Sequence, residues 1–245
     1  MKNHFTIIIP SYNCEQWVEW NLRSALQQDY EDYDIVYVND CSTDNTLEVA
    51  TKTLSDSNKN YRIVSNDKNM KALYNLHTQI HAARKDSIIV TLDGDDALAG
   101  TEVLTKLNQV YKDSECWLTV GSYVQNDNYV VVSPVVSEGF WEGNVRKSPW
   151  SFSHLRTFRR ELFCKIEKKD LLDLDGRFFS CTFDRAMMYP MVEMAGRDRV
   201  KLINDILYIY NRKNPISVDR VHRYDQLRIE SLVSNKDQYE KLESL

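Results

Sequence analysis

Hydrophobic and polar positions follow one rhythm in roughly the first half of the chain and another beyond it. Phe5–Pro10 is a continuous apolar and β-branched run closed by proline, which predicts a buried strand. Glu15–Gln28 follows, with Trp17, Val18, Leu22, Ala25 and Leu26 near helical spacing. Asp34–Val38 predicts a second strand. A polar turn at Asn39–Asn45 then leads into a helix running through Leu54, with Ser42 or Asp44 as its cap. Tyr61–Ser65 predicts a third strand, Ala72–Ala83 a helix, Ser87–Leu92 a fourth strand and Gly100–Tyr111 another helix. This alternation predicts an α/β fold with a mostly parallel sheet and helices on both faces.

Past Asp113 the grammar changes. Cys116–Gln125 and Tyr129–Val136 predict strands of a mixed α+β region, and Phe140–Ser153 is irregular. Phe163–Asp170 and Asp184–Ala195 predict helices, and Val200–Tyr210 a strand. The tail Val221–Leu245 is charged, with apolar residues at Leu227, Ile229, Leu232 and Tyr239. It predicts a surface helix or a homodimer contact, frayed at its end. Without repeat, low-complexity stretch or linker, one domain over residues 1–245 is expected.

Composition narrows the function more than the fold. The 245 residues are 42% hydrophobic and 27% charged, ordinary for a globular chain. A net charge of −5 argues against nucleic acid held by a broad basic surface. No apolar run approaches the ~20 residues of a membrane span, and the N-terminus lacks a signal-peptide stretch. A cytoplasmic protein with at most peripheral membrane association is expected. The 5 cysteines are scattered without a CxxC pair, so thiols are expected rather than a disulfide frame or zinc site.

The sharpest chemical feature is Ile88–Asp96, an apolar strand running into Asp93, Asp95 and Asp96, with Gly94 turning among them. Clustered carboxylates repel one another and resist burial. A divalent cation that also holds substrate phosphates removes the conflict. The plainer alternative is a solvated acidic turn capping the helix at Gly100–Tyr111. Ligands of open parallel sheets sit beyond the carboxyl ends of the strands, where Pro10–Asn13, Asn39–Asp44 and Asp93–Asp96 converge. No GxGxxG loop follows the first strand and no P-loop is present, against dinucleotide oxidoreductases and P-loop NTPases.

In order and spacing, Ile7–Asn13, Val38–Thr46 and Leu92–Asp96 resemble the GT-A fold nucleotide-sugar glycosyltransferases, in particular glycosyltransferase family 2. The resemblance implies a nucleotide-sugar half at 1–112, an acceptor and catalytic-base half at 113–220, and a helical tail at 221–245. It implies that Asp40 binds uracil, although Asn39 stands where a preceding acid is usual, and that Pro10, Ser11, Tyr12 and Asn13 line the nucleoside pocket. For Asp44, turn and cap chemistry is the favoured role. Asp93 is implied to contact ribose or diphosphate beside Gly94. Asp95 is implied to ligate Mn²⁺ or Mg²⁺, with Asp96 a second candidate ligand. Lys71 lies where related enzymes carry a glycine-containing segment and either pairs with diphosphate or is a solvated lysine.

Asp184 corresponds to the acid that opens a helix past the DxD motif, and is implied to be the catalytic base. Phe183 precedes it where a second acid is usual, and helix capping is the alternative. Phe152–Arg160 resembles a segment of viral, phage and bacterial members, so His154 and Arg156 are candidates for facing sugar or diphosphate. Trp141 and Trp150 suit an acceptor sugar or the core. Tyr208–Ser217 resembles the closing segment, and the downstream His222 is the candidate third metal ligand. His4, His77 and His81 default to core or surface. The expected activity is metal-dependent inverting transfer of a hexose, glucose or galactose first, from a UDP-sugar to a hydroxyl of a glycan or glycoprotein. The rivals are a nucleotidyltransferase and a non-catalytic carbohydrate-binding scaffold.

Overall fold

The computed structural model describes residues 2–113, 115–215 and 223–245. Strands β1 (Phe5–Ser11), β2 (Tyr33–Asn39), β3 (Asn60–Ser65) and β4 (Ile88–Thr91) pair in parallel in the order β3-β2-β1-β4. They are connected through α1 (Val18–Leu26), α2 (Thr46–Ser55) and α3 (Ala72–Ala82). The elements fall where the periodicity predicts them, except that α1 begins at Val18 rather than Glu15 and α4 (Val103–Tyr111) at Val103 rather than Gly100.

Burial on both faces explains why β1, β2 and β4 read so clearly, whereas β3 is a largely exposed edge strand. Ile7 and Ile9 pack on one side with α1, α2 and α4, while Ile8 packs on the other with α3. In β2, Ile35 and Tyr37 face the first side and Val36 and Val38 the second. Each such side chain contributes about 1.5–3 kcal/mol when buried, so every position of the strand favours an apolar residue.

The second half completes the same sheet with mixed directions. Strands β5 (Ala97–Leu98), β6 (Leu118–Gln125), β8 (Arg156–Arg159) and β9 (Val200–Tyr210) extend the order to β4-β8-β6-β9-β5, and β7 (Val131–Val132) pairs with β6. β8 enters antiparallel between β4 and β6, with Val90 opposite Thr157 and Val120 opposite Arg156. The strand predicted over Tyr129–Val136 is reduced to Val131–Val132.

Phe163–Asp170 is not one helix. α5 (Glu138–Glu142) precedes it, and α6 (Arg160–Phe163) stops before a separate 3₁₀ turn at Lys168–Leu171. The Glu167 amide donates to the Tyr239 hydroxyl at 2.9 Å instead of back along a helix. α7 (Phe183–Arg199) covers the sheet with Met187, Met188, Met191 and Met194 buried.

The tail is fastened rather than frayed. In α8 (Arg223–Ser234) Ile229 and Val233 are buried, and Leu232, Tyr239, Leu242 and Leu245 pack on the chain's own core. The Leu242 amide donates to the Met194 carbonyl at 2.9 Å. Beneath the tail, buried Arg146 and Glu193 form a two-pronged ion pair of 2.7 and 2.8 Å. Arg146 also reaches the Val233 carbonyl and Glu193 accepts from the Tyr239 amide, so this buried pair is hydrogen-bonded on both sides. All five cysteines are free thiols. No helix among the described residues is long and apolar enough to cross a membrane.

Candidate active site

The carboxyl ends of β1, β2 and β4 open onto a cleft of about 650 Å³, within the range of small-ligand sites. Pro10, Ser11, Tyr12, Asn13, Asp40, Lys71, Asp93, Gly94, Asp95, Asp96, His154, Arg156 and Asp184 all line it. His222 lies outside the described residues.

One corner is built around Asp40, which is 3% exposed. Its Oδ1 accepts from the Met70 amide at 2.8 Å and from Asn66 Nδ2 at 2.7 Å, and its Oδ2 from the Lys71 amide at 2.8 Å. Three donors pin the start of α3, where Lys71 holds a left-handed φ of 70°. Asp44 serves the turn: it accepts from the Thr46 amide at 3.1 Å and the Glu15 amide at 3.2 Å. Asn13 Oδ1 accepts from the Thr43 amide at 2.8 Å and clamps the β1 loop to the β2 loop. Tyr12, 42% exposed, stands free of this frame.

The opposite corner gathers the acids. Gly94 is required here, since a Cβ would lie 2.1 Å from Ser11 Oγ and 2.9 Å from the Pro10 carbonyl. Buried Asn21 of α1 donates to the carbonyls of Asp93 at 2.9 Å and Asp96 at 2.8 Å, fixing the turn from below. Both oxygens of Asp96 accept protein donors, the Tyr208 hydroxyl at 2.6 Å and the Asn211 amide at 2.7 Å. Asp95 accepts from Asn214 Nδ2 at 2.6 Å. Burial, opposed by Arg156 and reinforced by Asp95 and Asp184, pushes the Asp93 carboxyl up to about 6. Burial, then the charges of Asp95 and Asp93, holds Asp96 well above the usual carboxylate range.

Asp184 stands in the first turn of α7 with its side chain 26% exposed. Among the described residues it accepts no hydrogen bond from the helix amides. Its Oδ2 lies 4.0 Å from one terminal nitrogen of Arg156, whose other terminal nitrogen lies 3.5 Å from Asp93 Oδ2. His154 stacks on Tyr208 at 4.4 Å between ring centroids. Burial, with Arg156 nearby, keeps its pKa well below the usual histidine value, so the imidazole is neutral.

A divalent cation fits these residues. Ligand atoms of Asp93, Asp96 and His154 lie within 4.8 Å of one another. The His154 Nδ1 is buried with no protein partner, and burial and mutual repulsion raise the Asp93 and Asp96 carboxyls, a conflict that a cation would relieve. Among the described residues this grouping contains the expected Asp96 but not Asp95, and the expected His222 lies outside them. Trp150 meets Phe152 and Tyr189 edge-on and Trp141 meets Phe140, so both tryptophans pack against the core.

The family model described as "Glycosyl transferase family 2" matches residues 6–183, most of the chain. The chain belongs to glycosyl transferase family 2. Glycosyltransferase GlyG of Streptococcus pneumoniae is 23% identical over 87% of this chain and 72% of its own length. EpsJ of Bacillus subtilis, an uncharacterized glycosyltransferase, is 27% identical over 88% of this chain and 63% of its own. These relatives are bacterial and give no support to a viral or phage type. The fold is that of the mannosyltransferase PcManGT from Pyrobaculum calidifontis in complex with GDP-Man and Mn²⁺. That match has a TM-score of 0.68 and 18% identity, over 98% of this chain and 66% of that one. TarS of Staphylococcus aureus in complex with UDP-GlcNAc matches with a TM-score of 0.66 and 15% identity, over 97% and 68%.

The contacts of three residues of this family 2 site escape sequence reasoning, although Tyr208 and Asn214 lie in the closing segment picked out there. Tyr208 holds Asp96, Asn214 holds Asp95, and Asn21 holds the backbone of both Asp93 and Asp96, each from an element remote in sequence. Tyr208 left a trace, as a polar tip within an apolar strand. Asn21 sits among apolar neighbours of α1 and left none beyond being a polar residue on a buried face.

Proposed function

We propose that this chain is a metal-dependent, inverting glycosyltransferase moving a hexose from a UDP-sugar to a hydroxyl of a glycan or glycosylated protein, in the cytoplasm. The observation carrying this reading is that Asp93 and Asp184 face one another across a single buried arginine in a cleft of nucleotide-sugar size. The Pro10–Asn13 loop and the frame fixed by Asp40 would hold the nucleoside, with Lys71 at the mouth.

Asp95 and Asp96 would supply oxygens to Mn²⁺ or Mg²⁺ beside Asp93, since each carboxylate keeps lone pairs beyond its donors Asn214, Tyr208 and Asn211. His154 would add a neutral nitrogen. When bound, such an ion neutralises the diphosphate that departs. Asp184, exposed to the cleft on the far side of Arg156, takes the acceptor proton as its hydroxyl oxygen attacks the anomeric carbon. The Pro10–Asn13 loop lacks the glycine-rich basic run expected of a nucleotidyltransferase, and the set of acids speaks against a scaffold.

A screen of nucleotide sugars by release of the nucleoside diphosphate, with and without Mn²⁺, tests the donor. UDP-glucose and UDP-galactose are expected to lead, and UDP-GlcNAc and GDP-mannose belong in the panel because neighbouring structures hold them. Asp95→Asn is expected to weaken cation-dependent UDP binding by about 10- to 100-fold, as for loss of one charged contact, with melting temperature kept. Unchanged binding would remove Asp95 from the metal site.

A further inference from the structure

We propose that Arg156 is a positioning residue: its buried guanidinium sets the spacing between the donor-side acid Asp93 and the base Asp184. The inference rests on the reading of Asp184 given above. Arg156 is 2% exposed, and it is among the largest fully buried side chains of the molecule. A charge so placed needs partners, since desolvation opposes it strongly.

The fold explains how it meets two of them. β8 runs antiparallel to β4, so its first residue lies beside the carboxyl end of β4, where the cleft opens. There Nε approaches Thr91 Oγ1 at 3.5 Å, and Thr91 in turn donates to the Arg156 carbonyl at 3.3 Å. The guanidinium carbon sits 5.6 Å from the centre of the Phe183 ring, at the start of α7. The side chain thus touches both the strand that carries Asp93 and the helix that carries Asp184.

Two features separate this role from a plain ion pair. The two terminal nitrogens go to different acids, one to Asp93 and one to Asp184. At 3.5 and 4.0 Å, both approaches are longer than the 2.7–2.9 Å of a committed charged hydrogen bond. Neither carboxylate is locked, so each keeps its oxygens for its own task while the shared positive charge offsets their repulsion. Lysine carries the same charge on one nitrogen at the end of a flexible stem and does not reproduce the rigid fork that meets the two acids from two separate nitrogens.

Arg156→Lys is therefore expected to lower kcat by about 100-fold, the effect of a misplacement near 1 Å. UDP–Mn²⁺ affinity by calorimetry and KM for the donor should stay within about threefold, which is under 1 kcal/mol. In the residual turnover of an Asp184→Asn background, adding Arg156→Lys should have little further effect, as for residues acting as a unit. Thr91→Val keeps the shape at β4, so it serves if the lysine variant folds poorly. It should cost a smaller loss of kcat at unchanged UDP affinity. Three results would each overturn the proposal: kcat unchanged, UDP affinity falling in step with turnover, or losses that multiply in the double variant. If Asp184→Asn keeps full turnover while Arg156→Lys loses it, the base assignment fails instead and Arg156 acts through another group.

Discussion

Two corners of one cleft treat their acids in opposite ways. At Asp40 a carboxylate is saturated: three protein donors between 2.7 and 2.8 Å take both oxygens and hold the entrance to α3. At Asp93 and Asp184 the carboxylates are set at 3.5 and 4.0 Å around a single guanidinium, with lone pairs left over. The first arrangement is a frame, stable because every charge is answered inside the protein. The second is poised, because its charges wait for something from outside. Acids lining one cleft thereby divide into a saturated group and a loosely held pair.

The widest gap between the corners should appear with conservative amides. Asp184→Asn is expected to lower kcat by about 10²- to 10⁴-fold, the usual contribution of a general base, while UDP binding and melting temperature stay near wild type. Loss of UDP binding instead would move Asp184 into the donor site and blur the comparison. Asp40→Asn should do the reverse. An amide retains one acceptor but turns an NH₂ toward the Lys71 or Met70 amide, leaving a buried donor unanswered at about 1–3 kcal/mol. Thermal unfolding should report that loss, with kcat at saturating donor largely kept. A variant as stable as wild type would show that the frame does not depend on this carboxylate.

The smallest effect belongs to the far end of the same sheet, where charge should matter to stability alone. The His4 ring nitrogens face Asp32 at 2.8 Å and Asp34 at 3.2 Å. The hydrogen bond to Asp34, opposed by burial and helped by Asp32, raises its pKa above 6.5. A raised histidine stabilises the fold fully below its unfolded value of 6.5, and the contribution is lost as pH climbs through the higher folded value. His4→Gln should therefore cost about 1 kcal/mol near pH 6 and progressively less toward pH 9. Melting curves across that range check the sign, and kcat should not change with this variant.

Legibility in the sequence divides along the same line as the chemistry. Strands β1 and β4 announce themselves because both faces are buried, so Phe5–Ser11 and Ile88–Thr91 are made mostly of apolar and β-branched residues. The acids at their ends stood out because nothing local explains them. Pairing between distant segments leaves no such mark. Nothing within Arg156–Arg159 tells that it enters antiparallel between β4 and β6, which is what carries Arg156 beneath the cleft. Phe163–Asp170 was misread as one helix because its break comes from Tyr239, far along the chain. Asn21 is hidden because nothing local to α1 tells that a polar residue on its buried face bonds two carbonyls of a distant loop.

The reversed direction of β8 has an outcome for how such a molecule can change. A strand running with its neighbours delivers its last residue to the working edge, so the loop after it shapes what happens there. β8 delivers its first residue, so the shaping falls to the irregular stretch before it, residues 133–153. Apart from the buried Phe140, Val145, Arg146 and Phe152, length and composition in that stretch are then open to variation without shifting the register of Arg156–Arg159. The exposed parts of the run-up to this strand can then change while the strand itself stays put.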